Sequence, residues 1–254
     1  MKIFNIVGIV VLSLCILISP VYATTNGTSR VKIESNIQIK DGQTQKKETI
    51  LNTLTTEDLI LTEVKTLNKE QQEDVVCLAL NMFHEARGST VKDQIASTYV
   101  VFNRYMDTNY PLTLKNKKRS LCNIIFDKWQ FCWTNGHKIP KPDVKKYGEK
   151  NAWEKAQKLA MELYNNPIHK QMASEFQLQH YVVTPLIYDK HRPKWINKRK
   201  LTIQIGKHSY MSINSKIENS KENQIKYKHI IDRAYYSIFG KIDENIQPTL
   251  IKIK

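Results

Sequence analysis

Residues 74–88, DVVCLALNMFHEARG, constrain the fold more than any other stretch of the chain. Val75, Val76, Ala79, Met82, Phe83 and Ala86 recur at helical spacing and Gly88 is a favoured stop, so a helix of about twelve residues is predicted to end there. A helix this apolar must be packed on several sides, yet it carries the ionisable Glu85 in its last turn. The end of a helix bears partial negative charge from its unsatisfied carbonyls, which disfavours a carboxylate. Burial against Phe83 and neighbouring helices pushes the same way. A glutamic acid kept protonated near neutral pH is what general acid catalysis requires. The competing reading is a salt bridge from Glu85 to Arg104 or another base. Arg87 points to a different side of the helix and is expected to pair elsewhere or to face a ligand. His84 is turned about 100° from Glu85, so it is read as packing or as lining the edge of a groove.

A second helix is predicted from Thr90, whose hydroxyl can cap the first turn with Asp93 three residues on. Ile95, Tyr99, Phe102 and Met106 form its apolar stripe, and DTNYP closes it. Residues 112–150 are irregular and basic, with Lys115, Lys117, Lys118 and Arg119 clustered. A third helix is predicted over 151–164, with Asn151 and Glu154 as a capping pair and Trp153, Ala156, Ala160 and Leu163 buried. The period then changes. HYVVTP and LTIQIGKHSYMSI read as strands, the second folded at Gly206-Lys207 into a hairpin. The expected class is α+β, mainly helical, with a small β-hairpin or sheet. Residues 24–72 are a polar linker, partly disordered, with a short helix within 57–70. Residues 73–213 form the main domain, and 214–254 a basic C-terminal tail with one amphipathic helix, NQIKYKHIIDRAYYSIFG.

The chain has 254 residues and a formal net charge of +15. Residues 1–23 read as a signal peptide: Lys2, an apolar run over 6–18, Pro20, and VYA ending at Ala23. The run is shorter than the roughly 20 residues a bilayer span needs. Leu14 ahead of Cys15 argues against a lipoprotein, and no stable membrane insertion is expected after cleavage. An exported basic protein is expected to meet a polyanion outside the cytoplasm. Bacterial wall polymers fit, and export argues against nucleic acid. The competing reading is a genome that favours Lys. Past the leader three cysteines remain, Cys77, Cys122 and Cys132, allowing one disulfide whose pairing the sequence leaves open. No CxxC or Cys/His cluster appears, and neither a metal nor an organic cofactor is expected.

CLALNMFHEARG, QIASTYVVFNR, QFCWT, HYVVTPLIYDKHRPKW and IGKHSYM stand in the order and at roughly the spacing of the SleB-type cell wall hydrolase family, the spore-cortex-lytic enzymes and their relatives. The resemblance covers about 73–213. It implies a compact lysozyme-like domain acting on the MurNAc–GlcNAc β-1,4 bond of peptidoglycan, as a lytic transglycosylase, with Glu85 of EARG as the catalytic residue. Peptidoglycan glycan strands are the implied partner, anionic wall polymers a further one, and the enzyme is expected to be a monomer exported to the periplasm, cell wall or medium. Asn103, Gln130 and Tyr181 can hydrogen-bond N-acetyl and sugar hydroxyl groups, and Trp133 and His180 fall in the matching motifs. Trp129, Trp133, Trp195 and Tyr181 lie in loops or strand ends, where aromatic faces can meet sugar rings, whereas Trp153 reads as core. The chain departs from the family pattern at Ser89, where a second Glu is usual, at Cys132, where QFSWT has become QFCWT, and at QHYVV, where THYHA is usual.

A one-carboxyl transglycosylase needs no further acid. A hydrolytic muramidase of the same fold needs a second carboxylate about 5 Å away if retaining or 6.5–9.5 Å if inverting. Asp93, Asp107, Asp127 and Asp189 are available by number, and their spacing selects none. HExxH zinc chemistry requires a His where Gly88 stands. Cys77 reads as core, and no nucleophile context surrounds Cys132. The rival from another class is a non-catalytic wall-binding module. Residues 115–119 either contact anionic polymer or form a solvated loop.

Overall fold

The structure is a computed structural model and describes residues 42–113, 118–136, 138–190, 192, 194–198, 202–212 and 219–240. The leader over 1–23, the first part of the linker, Lys115, Lys117 and the side chain of Trp195 lie outside the described residues.

Helix α1, Gly42–Thr56, lies within the stretch expected to be a polar linker. Only Ile50 and Leu54, one turn apart, are buried on it, and both join the common core. α2 is a single turn, Thr62–Lys65. α3, Lys69–Asn81, starts at a capping box in which Asn68 and Gln71 satisfy each other's backbone N–H groups. From Asp74 to its end every residue of α3 is buried. A helix apolar on all sides belongs inside, and α3 is packed by α5, Leu121–Ile125, and by α6, Tyr147–Asn165. A disulfide joins Cys77 of α3 to Cys122 of α5, leaving Cys132 outside the bridge.

α4, Val91–Met106, begins at Thr90, whose side chain accepts from the Asp93 N–H. The expected return bond from the Asp93 carboxylate is not made, because that side chain is drawn to the sheet. Ile95, Tyr99 and Phe102 are buried and Met106 is exposed at the end of the stripe. α6 starts four residues earlier than the sequence indicates. Asn151 therefore lies inside the helix, and the capping pair with Glu154 does not form. Instead Glu149 accepts from the Asp143 N–H at 2.9 Å, holding the turn that leads into the helix. Trp153, Ala156, Ala160 and Leu163 are buried as the stripe requires, and the Trp153 indole donates to Leu59 O at 2.7 Å. α7, Pro167–Phe176, was not legible as a separate helix; Asn166 caps it and Pro167 occupies its first turn.

Three antiparallel strands follow, β1 at His180–Val183, β2 at Thr202–Ile205 and β3 at His208–Met211, in the order β1-β3-β2, with the short helix α8, Thr184–Tyr188, after β1. Tyr181 pairs with Tyr210, and Ile205 with His208 across the turn. Gly206 has φ 58°, and a Cβ there would meet Ser89 Oγ at 2.6 Å and Asp93 Oδ2 at 2.7 Å. Glycine is required by both the turn and the space. The last helix, α9, Lys221–Phe239, buries Tyr227, Ile230, Ile231 and Ala234 against α4, α7 and β2. The α+β, mainly helical architecture is the one the sequence indicates.

Candidate active site

α3 runs into a π turn, Met82–Ala86, which carries His84 and Glu85. π turns in α-helices are frequent at functional sites. This one is closed from α4, where Gln94 Nε2 donates to Ala86 O at 3.1 Å, and by the Ser89 N–H, which donates to the same oxygen at 3.0 Å. The chain turns sharply through Arg87-Gly88, and Glu85 is left at the corner between two packed helices. Arg87 faces away, over the Phe83 ring at 4.7 Å and 3.8 Å from Glu149.

Glu85 is half-buried. Among the described residues no basic nitrogen lies within 4.0 Å of its carboxylate, so the salt bridge with Arg104 does not form. Burial is the main influence on its acidity and holds its pKa above the usual carboxylate range, opposed by His208, by the Tyr181 hydroxyl and by Arg104. The Tyr181 hydroxyl approaches Glu85 on one side and Asn81 on the other, without closing a hydrogen bond of full geometry to either. It is a buried O–H with bonding capacity to spare beside the acid. Arg104 donates through Nε to Gln179 O at 2.8 Å and sits over the rings of Phe131 and Tyr110, at 5.0 and 5.5 Å. Its buried Nη1 has no hydrogen-bond partner among the described residues.

One wall of the site is the short 3-10 helix Cys132–Thr134. The Trp133 indole donates to Asn81 Oδ1 at 3.2 Å and stacks on His84 with ring centroids 4.6 Å apart. Packed this way, His84 is held neutral, its pKa pushed down to about 4 by burial and then by Arg87. Glu85, Trp133 and Tyr181 are thus gathered around Asn81, and all three keep part of their surface open. The remaining sequence-predicted residues form a second group. Gln130 accepts from the Tyr110 hydroxyl at 2.8 Å, and the His180 ring lies 6.3 Å from that of Tyr110. Asn103 is buried and donates to Leu178 O at 3.1 Å, anchoring the approach to β1. Asn103, Asp107, Tyr110 and Gln179 line a cavity of about 600 Å³, which Glu85 does not line. Arg104 lies between the two groups.

Behind the acid, Asp93 clamps the hairpin to α4. Its carboxylate accepts from Ser89 Oγ, from the Lys207 N–H at 3.1 Å and from the Tyr210 hydroxyl, and lies 2.8 Å from His208 Nδ1. Burial alone would raise its pKa, but the bonds from His208, Ser89 and Tyr210 outweigh it and hold the pKa below the ordinary value. Asp93 therefore stays charged and fully engaged. Asp127 is likewise enclosed, accepting from Thr113 and Gln130.

In the sequence Asn81 reads only as part of CLALNMFHEARG, and Arg104 only as a salt-bridge partner for Glu85. Asn81 is one turn before Glu85 and polar in an apolar run, and that oddity was the signal available.

The fold and the site define a mainly helical α+β domain in which Glu85, unpaired among the described residues, stands as a protonatable carboxyl group beside aromatic side chains. Residues 88–211, just under half of the chain, match the Cell Wall Hydrolase family model, so this segment is similar to a family of enzymes acting on peptidoglycan. The matched stretch opens just beyond Glu85. No curated protein and no solved structure matches the chain.

Proposed function

We propose that the protein cleaves the MurNAc–GlcNAc β-1,4 bond of peptidoglycan as a lytic transglycosylase, with Glu85 as the single acid and base. The observation that carries this reading is the state of Glu85: half-buried, without an ion pair among the described residues, and kept toward its neutral form by burial. The carboxylic acid gives its proton to the glycosidic oxygen, which leaves as the 4-hydroxyl of GlcNAc while oxocarbenium character develops at the muramyl anomeric carbon. The resulting carboxylate then takes the proton of the muramyl C6 hydroxyl as that oxygen bonds to the anomeric carbon. A 1,6-anhydro ring forms and Glu85 is again protonated, with no water consumed. The Tyr181 O–H and Arg104 Nη1 stabilise the carboxylate midway through the cycle. Asp93 and Asp127 are bound up in hydrogen bonds, which favours one carboxyl group over two.

In this reading residues 1–23 are an export leader, and the Cys77–Cys122 disulfide suits an oxidising compartment. Among the described residues no helix is long and apolar enough to cross a membrane. Mass spectrometry of products from purified peptidoglycan tests the proposal. Muropeptides ending in 1,6-anhydroMurNAc support it, whereas reducing-end MurNAc alone rejects the transglycosylase route and leaves a hydrolase.

A further inference from the structure

Trp129 is held in a conformation that its side chain disfavours. The Gln130 N–H donates to Asp127 O at 3.2 Å, closing a four-residue turn whose third residue, Trp129, has φ 68°. A turn with positive φ at that place asks for Gly or Asn. For a bulky residue the left-handed region is an outlier that persists only when the surroundings fix it. Here they do. The Trp129 N–H donates to Asn135 Oδ1 at 3.3 Å, Asn135 Nδ2 donates to Phe131 O at 3.2 Å, and the buried Asp127 carboxylate accepts from Thr113. The other described non-glycine residues with positive φ are polar, Asp58 and Gln177, the latter capping α7.

That backbone strain is not offset by packing, because Trp129 is 64% exposed. A single exposed aromatic needs no explanation by itself. An exposed indole on a turn built for glycine does, since the residue lowers stability without filling the core. Such local conflicts mark functional positions. Its place in the fold says which function. Trp129 and Trp133 are four residues apart, at most about 14 Å of extended chain. Trp133 stacks on His84 beside Glu85, and the same short segment carries Trp129. The 3-10 turn over Cys132–Thr134 makes the true span shorter, so one glycan strand can meet both residues. The Lys128 ammonium lies over one face of the Trp129 ring, 5.2 Å from its centroid; it leaves the other face for a sugar and supplies positive charge suited to muramyl carboxylates.

We infer that Trp129 is a stacking platform for a pyranose ring of the glycan strand, at a subsite removed from the bond that is cut. The inference rests on the peptidoglycan reading above but not on Glu85 being the acid. The exposed indole face covers the apolar face of a sugar ring, and the rigid turn presents that face ready-made, so little freedom is lost on binding.

The test is sedimentation with purified, peptide-free glycan strands, comparing Glu85→Gln with Glu85→Gln/Trp129→Gly in the full chain. Neither protein needs to cut, so failure of the proposed chemistry leaves this readout intact. The double variant should bind roughly tenfold more weakly, the loss of one aromatic contact face. The difference should persist at high salt, and Trp129→Phe should recover most of it. Thermal unfolding is the control, because glycine relieves the strained φ and should leave Tm unchanged or higher. Equal binding of the two proteins overturns the inference. So does a difference that vanishes in salt, which would assign the contact to Lys128, or a clear fall in Tm, which would make Trp129 a structural residue.

Discussion

The indole N–H of Trp133 donates to the side-chain oxygen of Asn81 at 3.2 Å, fastening the QFCWT loop to the helix that carries Glu85. Asn81 is buried, so its loss leaves an unsatisfied N–H on Trp133 and a small void. Asn81→Ala should lower stability by about 1–3 kcal/mol. It should also reduce turnover of peptidoglycan, because the Trp133–His84 wall loses its anchor. Urea unfolding and turbidity clearing measure the two effects, and an unchanged midpoint would remove Asn81 from the framework of the site.

The Tyr181 hydroxyl favours the ionised form of Glu85. Tyr181→Phe therefore raises the pKa of the acid further. A general acid is active while protonated and fails as pH rises through its pKa. The alkaline limb of kcat/KM against pH should shift to higher pH in the variant, with a lower maximum. A limb that stays put or moves to lower pH would separate Tyr181 from the acid.

The His208–Asp93 pair ties β3 to the start of α4, and both side chains are enclosed. His208→Ala leaves Asp93 charged with one bond fewer, at an expected loss of about 3 kcal/mol. Because the folded-state pKa of Asp93 is depressed, its contribution to stability is present above the unfolded value of 3.8 and is lost as pH falls through the folded value. Acid unfolding of the wild type should therefore begin below about pH 4 for this group. In His208→Ala it should begin at higher pH.

Asp74 behaves in the opposite sense. Burial raises its pKa to about 6, against the pull of the Cys122 N–H that it accepts at 2.9 Å, with Glu70 and Glu73 adding to the rise. The folded state then holds this proton more tightly than the unfolded chain. Stability from this group falls as pH climbs from about 4 to about 6 and is level above, by up to about 3 kcal/mol. Asp74→Asn should flatten that slope and raise Tm at neutral pH. A variant with the slope of the wild type would show that Asp74 is not its source.

The same neighbourhood holds the disulfide, which spans a sequence separation of 45. Cys77→Ala/Cys122→Ala should cost about 4 kcal/mol in a chain-entropy treatment. A loss below about 1 kcal/mol would mean that packing of α3 on α5 suffices.

The features that could be read from sequence are those with a local signal. The α3 stripe, the Thr90 cap, the Gly206 turn and the buried stripe of α6 each depend on residues close in the chain. What was missed depends on distant partners. Helix α1 shows only Ile50 and Leu54 as a buried pair, so its polar composition read as a linker. Asn81 meets Trp133 fifty-two positions away, and nothing near Asn81 announces it. Asp93 looked like the second half of a capping box, but Tyr210 and His208, more than a hundred positions on, offer its carboxylate a buried network that a surface cap does not. Glu85 stood out because its charge conflicts with its setting, and that conflict is visible without a structure. The π turn is not visible, since it follows from how the corner is held by Gln94 and Ser89.

The most direct measurement is the initial rate of cleavage of purified peptidoglycan by Glu85→Gln against the wild type, with both proteins shown to sediment equally with the wall. Loss of the acid should lower the rate by about 10²–10⁴-fold while binding is kept. A glutamine variant that cuts within a few-fold of the wild type would contradict the role assigned to Glu85, whatever products it released.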